Sequence, residues 1–145
     1  MDKVDEKIIL MLQENARIPV KEIASEVFLS SPAVSARIDR LAQEGLIKGY
    51  HMVIDRTKLG YDVTAFIQLE ITPSQKAEFY PFIKSCPNVL ECSCVTGQYS
   101  QLIKVAFRST SELEVFLGSL QQFGRTITQI VFSTPVEPRD VDITR

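Results

Sequence analysis

Thiol and imidazole groups are the side chains of this 145-residue chain that could ligate a metal or attack a substrate, and there are few of them. The cysteines are Cys86, Cys92 and Cys94, and the one histidine is His51. Zinc sites use cysteine and histidine at fixed spacings that this set does not match, so we expect no metal site. Buried thiols in a reducing cytosol are the first interpretation. A redox role for Cys92 and Cys94, which would share one face of a strand, is the alternative.

A second group of residues combines small side chains with arginine along one predicted helix. Its members are Ser31, Pro32, Ala33, Ser35, Ala36, Arg37 and Arg40. Small residues let a helix approach base edges closely, and arginine can bind guanine or phosphate. The pattern predicts a helix that enters the major groove of double-stranded DNA. An ordinary surface helix with a solvated charged face also fits these residues.

The sequence shows no nucleophile–base pair, carboxylate dyad or phosphate-binding loop, so we do not expect an enzyme. The formal net charge is −2, and the first 60 residues carry no net charge. A DNA-binding protein with so small a basic excess would need to dimerise to double its phosphate contacts.

The chain begins with an acidic, polar stretch, Met1-Asp2-Lys3-Val4-Asp5-Glu6, which is unlike a signal peptide. No apolar run reaches the length of a membrane span. We therefore expect a cytoplasmic protein with no membrane partner.

Helical spacing of apolar residues predicts three helices near the N-terminus. Asp2 can cap the first helix, and the third begins after Ser30 or Ser31 and ends at Gly45. A β-hairpin over residues 46–54 would complete a winged-type helix-turn-helix.

Alternating apolar residues predict strands in the second half, in the order βαββαβ. This order is that of a ferredoxin-like domain, so the whole chain is assigned to the α+β class. Its two helices would cover one face of the sheet. The other face, with Phe66 and Val95, would need a partner, so we expect a homodimer. The expected organisation is a helix-turn-helix domain (1–48), a β-hairpin linker (49–61), a ferredoxin-like effector-sensing domain (62–134) and a C-terminal tail (135–145).

Several stretches carry a resemblance to a known family. They are residues 5–17, 29–38, 41–50, 59–61 and 87–102. In order and spacing they resemble the Lrp/AsnC family, the feast/famine regulators, and the resemblance covers nearly the entire chain.

The resemblance implies a sequence-specific DNA-binding transcriptional regulator without a cofactor. It implies dimers that assemble further, to an octamer, and an effector that is an amino acid or a related small metabolite. The effector-binding positions that it implies are Gly97, Gln98, Tyr99, Ser100, Gln101, Thr126, Thr128 and Gln129.

Two departures from the family pattern affect these expectations. Phe28 stands where the family usually has a glycine in the helix-turn-helix turn, so the turn either strains a bulky residue at positive φ or rearranges to bury the ring. Gln98 and Ser100 replace the aspartates of a Gly-Asp-Tyr-Asp turn, which removes charge-assisted partners for an ammonium group. We expect an unusual effector, weak binding of an ordinary one, or none. A turn with no binding role also fits the residues.

Two other functions are alternatives for this sequence. An effector-independent architectural DNA-binding protein has the same sequence features. A sirohaem-decarboxylase-like enzyme on the same architecture would need histidines or arginines that converge on a tetrapyrrole, and His51 is alone.

Overall fold

The computed structural model describes residues 1–143, so the last two residues of the predicted tail lie outside the described part. The chain divides into two compact units. One comprises Met1–Val53 with the tail that begins at Glu137, and the other comprises Ile54–Val136. Each unit has its own hydrophobic core.

The first unit contains three helices: α1 (Lys3–Glu14), α2 (Val20–Val27) and α3 (Ser31–Gln43). Asp2 caps α1 as predicted, because its side chain accepts hydrogen bonds from the backbone of Val4 and Asp5. Ser30, rather than Ser31, caps α3. The helices pack around apolar residues at helical spacing, including Ile8, Ile23, Ala24, Val27 and Val34.

The β-hairpin predicted over residues 46–54 and in the linker 49–61 is not found in the described chain. This segment contains no strand, and Thr57–Leu59 forms a single 3-10 turn. Strand-like residues do not make a strand by themselves, because a strand requires a neighbour for its backbone N–H and C=O groups. Met52 and Val53 are almost fully exposed here.

The second unit is a four-stranded antiparallel sheet with two helices, which confirms the ferredoxin-like βαββαβ prediction. In chain order its elements are β1 (Val63–Leu69), α4 (Lys76–Ser85), β2 (Val89–Cys94), β3 (Gln101–Phe107), α5 (Thr110–Leu120) and β4 (Thr126–Ile130). The strand order is β2-β3-β1-β4, so β2 and β4 form the edges.

The alternation of residues along the strands separates the two faces of this sheet. On β1, Ala65, Ile67 and Leu69 point into a core that is completed by residues of α4 and α5. Phe66 and Gln68 point to the face that the helices do not cover. We call this second face the open face of the sheet.

The edge strands are short, since β2 ends at Cys94 and β4 ends at Ile130. A 3-10 turn, Pro73–Gln75, comes directly before α4. Among the described residues, no helix is both long enough and apolar enough to cross a lipid bilayer.

Candidate functional site

The face of α3 predicted to meet DNA consists of small residues that stay accessible. Pro32 and Ala36 are exposed, and Ser31, Ala33 and Ser35 are half-buried. The inward side of the helix is formed by other residues, including Val34 and Leu41, which have no exposed surface. The Ser30 hydroxyl accepts a hydrogen bond from the Ala33 N–H at 3.3 Å, which fixes the start of the helix. These five small residues thus form one accessible surface at the N-terminal part of α3.

The two arginines of α3 reach back to the N-terminus of α1. Arg37 Nη1 donates to Asp2 Oδ2 at 2.7 Å and to Asp5 Oδ1 at 2.8 Å, and Arg40 Nη2 donates to Asp5 Oδ2 at 2.7 Å. The Asp5 side chain is buried, whereas the side chains of Arg37 and Arg40 are 29% and 45% exposed. The arginines therefore have a structural partner that the sequence did not reveal.

Asp5 is the negative centre of this cluster. Burial alone would raise the pKa of its carboxyl group, but hydrogen bonds from the Asp2 N–H, Arg37 and Arg40 hold that pKa far below its usual value. Hydrogen bonds to Asp2 and Asp5 raise the pKa of the Arg37 guanidinium group, and the hydrogen bond to Asp5 raises that of Arg40. Asp5 is therefore charged at neutral pH and orients both arginines.

Phe28, in the turn between α2 and α3, has the backbone conformation that favours glycine. Its φ is 56° and its ψ is 42°, and its side chain is 92% exposed. The alternative in which the turn rearranges to bury the ring is not what the structure shows. The turn keeps the geometry expected for a glycine, and an L-residue in this conformation is strained by about 1 kcal/mol.

The predicted effector residues fall on both faces of the sheet. Gln98, Tyr99 and Gln129 line a cleft of about 550 Å³ on the open face, together with Phe66, Gln68, Val95, Thr96 and Leu102. Thr128 pairs with Ile67 and Thr126 pairs with Leu69, so both threonines lie on the side covered by helices. Gln101 is buried on that side as well. A single chain therefore does not bring all eight predicted residues into one pocket.

A carboxylate that the sequence prediction overlooked lies beside the turn. Gln98 Nε2 donates to Glu70 Oε1 at 3.3 Å, and the Glu70 carboxylate is only partly buried. Glu70 follows the last residue of β1, and Leu69 pairs with Gln101 at the end of the turn. This pairing explains why a residue 28 positions away in sequence lies near Gln98.

Two buried polar atoms in the same segment have no hydrogen-bond partner. Among the described residues these atoms are Ser100 Oγ and Gln101 Nε2. A buried donor without an acceptor is costly, so each of these atoms calls for a physical explanation. Within residues 1–143, no group of histidine, cysteine, aspartate and glutamate is arranged to hold a metal ion.

Comparisons with known proteins agree with this architecture. The winged helix-turn-helix DNA-binding family matches residues 1–48, and the Lrp/AsnC ligand-binding domain matches residues 64–141. The regulatory protein AsnC of Haemophilus influenzae is 31% identical over 141 residues, which cover 94% of each chain.

Solved structures show the same fold over nearly the full length. AsnC of E. coli superposes with a TM-score of 0.87 at 29% identity and covers 97% of both chains. A transcriptional regulator of Neisseria meningitidis, solved in complex with L-Met, superposes with a TM-score of 0.91 at 23% identity and covers 99% of this chain and 97% of its own. At that identity the second comparison shows the fold alone.

These matches confirm the predicted family and function, and the relatives are regulators rather than enzymes. The chain is a DNA-binding transcriptional regulator built from the two matched domains, a winged helix-turn-helix and a ligand-binding domain, and it belongs to the Lrp/AsnC family of transcriptional regulators.

Proposed function

We propose that the accessible face of α3 enters the major groove of double-stranded DNA. The observation that carries this proposal is the exposed run of small residues at the capped N-terminal part of the helix: Ser31, Pro32, Ala33, Ser35 and Ala36. Such a surface permits close approach to base edges. Transcriptional regulation requires access to DNA, so we place the protein in the cytoplasm.

Arg37 and Arg40 join this interface from its flank. A guanidinium group has five N–H donors, and the bonds to Asp2 and Asp5 use Nη1 of Arg37 and Nη2 of Arg40. The Arg40 side chain is 45% exposed, which leaves part of it accessible to a phosphate. Asp5 would thus aim the arginines at the DNA backbone while the small residues contact bases.

The proposed regulator acts as a homodimer that assembles further, to an octamer. The open face of the sheet supports this, because it presents Phe66 and Leu102 without a covering layer in the single chain. In the first unit, Met52 and Val53 are also exposed. Light scattering of the full chain tests the assembly, and a monomeric mass at micromolar concentration would refute it.

The proposed effector is an amino acid that binds at the open-face cleft, which the proposed dimer would place between two protomers. Glu70 supports this, because it supplies a carboxylate for an ammonium group where Gln98 and Ser100 cannot. Gln98, Tyr99 and Gln129 line the cleft, and the adjacent residues Gly97 and Ser100 shape the turn. Gln101, Thr126 and Thr128 lie on the other side of the sheet and do not line this cleft. Their role as effector ligands stays a prediction.

A thermal-shift screen with the twenty amino acids tests this site. Ligand binding to the folded protein raises the melting temperature, and we expect Glu70→Gln to abolish that rise. Glu78→Gln, an exposed position on α4, is the matched control and should keep the response. An equal rise in melting temperature for both variants would show that Glu70 does not bind the effector. No response to any amino acid, with DNA binding intact, would favour an effector-independent architectural protein.

A further inference from the structure

A second cleft lies between α4 and the edge strand β2, on the side of the sheet covered by helices. Its volume is about 500 Å³, within the range of small-molecule sites. The residues that form its walls are mostly apolar or carry a thiol, and they include Tyr80, Ile83, Val89, Leu90, Cys86 and Cys92. We call this space the thiol cleft. It shares no lining residue with the open-face cleft.

Gln101 contributes the one fully buried polar side chain of the thiol cleft. It has no exposed surface, and its Nε2 has no hydrogen-bond partner. Its Oε1 lies 4.0 Å from Cys92 Sγ, which is a weak contact. An apolar residue would fill this position without an unpaired donor, so the amide has a cost that folding alone does not explain.

The surroundings of this amide favour an uncharged partner. Burial raises the pKa of the Cys86 and Cys92 thiols, so both are neutral at physiological pH. The charged residues that line the cleft, Lys84 and Glu91, are exposed at its mouth. A full charge on a ligand next to Gln101 would lose its hydration and gain only an amide donor.

We propose that the thiol cleft binds a small neutral molecule with a branched hydrocarbon group and one carbonyl oxygen, which accepts a hydrogen bond from Gln101 Nε2. Ile83, Val89 and Leu90 would contact the hydrocarbon group. An amide, an ester or a ketone has this chemistry, whereas a zwitterionic amino acid does not. The thiol cleft shares no lining residue with the open-face cleft, and Gln101 is the one of its lining residues that the family resemblance also implies for the effector, so binding at either cleft can fail without the other.

Titration of the full chain with 3-methylbutanamide, followed by methyl NMR, tests this inference. We expect saturable shifts of the Ile83, Val89 and Leu90 methyl groups with a dissociation constant of about 1 mM, as suits a ligand of this size. Gln101→Met replaces the amide donor by an apolar side chain of similar length. This variant should bind 3-methylbutanamide about tenfold more weakly. Gln121→Met, at the exposed C-terminal end of α5, is the matched control and should bind like the wild type.

Four results would overturn the inference. The first is the absence of saturable shifts in a protein whose spectrum is that of a folded chain. The second is a set of shifts at Val95 and Leu102, which would place the amide on the open face. The third is unchanged affinity in Gln101→Met. Methyl shifts that follow protein concentration instead of amide concentration would show that a second copy of the chain covers the cleft, and would equally contradict the proposal.

Discussion

Arg40 Nη2 lies 2.7 Å from Asp5 Oδ2, so the helix proposed to contact DNA is tied to the first turn of α1. Asp5 also accepts from Arg37 and belongs to the capping box of α1. The buried Asp5 carboxylate thus both caps the start of α1 and holds Arg37 and Arg40 in place.

We expect Asp5→Asn to lower the free energy of unfolding by about 2 kcal/mol, because a neutral amide replaces a charged acceptor of several hydrogen bonds. Urea denaturation followed by circular dichroism measures this. Asp39→Asn, an exposed position on α3, is the control and should change stability little. Equal free energies of unfolding for Asp5→Asn and Asp39→Asn would mean that the hydrogen bonds of Asp5 do not stabilise the fold.

The stability difference between wild type and Asp5→Asn should depend on pH. The folded-state pKa of Asp5 is lowered from its usual value of 3.8, so its contribution is complete above about pH 4 and is lost as the pH falls below that value. Denaturation at pH 7 and at about pH 3 should show the difference shrinking on acidification. A difference that grows at low pH would reverse the assigned direction of the pKa shift.

Phe28→Gly should stabilise the protein by about 1 kcal/mol, because glycine adopts positive φ without the strain of a side chain. The wild-type ring is almost fully exposed, so its removal creates no cavity. The measurement is the midpoint of urea denaturation. Phe28→Ala keeps the strained conformation and should gain little; a gain equal to that of Phe28→Gly would attribute the effect to the exposed ring instead.

Gly124→Ala should destabilise the protein by about 1–3 kcal/mol, because a Cβ there would overlap the carbonyl oxygen of Glu70. Gly118, within α5, has open space around it, so Gly118→Ala should stabilise by up to about 1 kcal/mol. Thermal unfolding compares the two variants. If Gly124→Ala were as stable as Gly118→Ala, the close approach of Gly124 to the Glu70 carbonyl would not require glycine.

The sequence alone correctly predicts those helices and strands whose residues repeat with a regular spacing. The alternation along β1 and the caps at Asp2 and Ser30 depend on neighbours a few positions away. The prediction of a hairpin over residues 46–54 was wrong. Residue types can favour an extended backbone, but a strand forms only where a second strand pairs with it.

The site was predicted less completely than the fold, because its key contacts join distant positions. Asp5 lies 32 and 35 positions from Arg37 and Arg40, and no spacing rule connects them. Glu70 reaches Gln98 only through the pairing of β1 with β3. The resemblance placed eight effector residues along the chain without showing that they divide between two faces of one sheet.

DNA affinity of Ala36→Glu is the most direct test of the account, because Ala36 is an exposed residue of the proposed groove-facing surface. The target is a duplex selected by the wild-type protein from a random-sequence library, and the measurement is fluorescence anisotropy at fixed salt. Ala42→Glu makes the same change at an exposed position in the last turn of α3. We expect Ala36→Glu to weaken binding at least about tenfold, since a carboxylate in the groove repels phosphates, while Ala42→Glu stays near the wild type. Equal affinities of wild type and Ala36→Glu, with both proteins folded, would contradict the assignment of α3 as the DNA-reading helix.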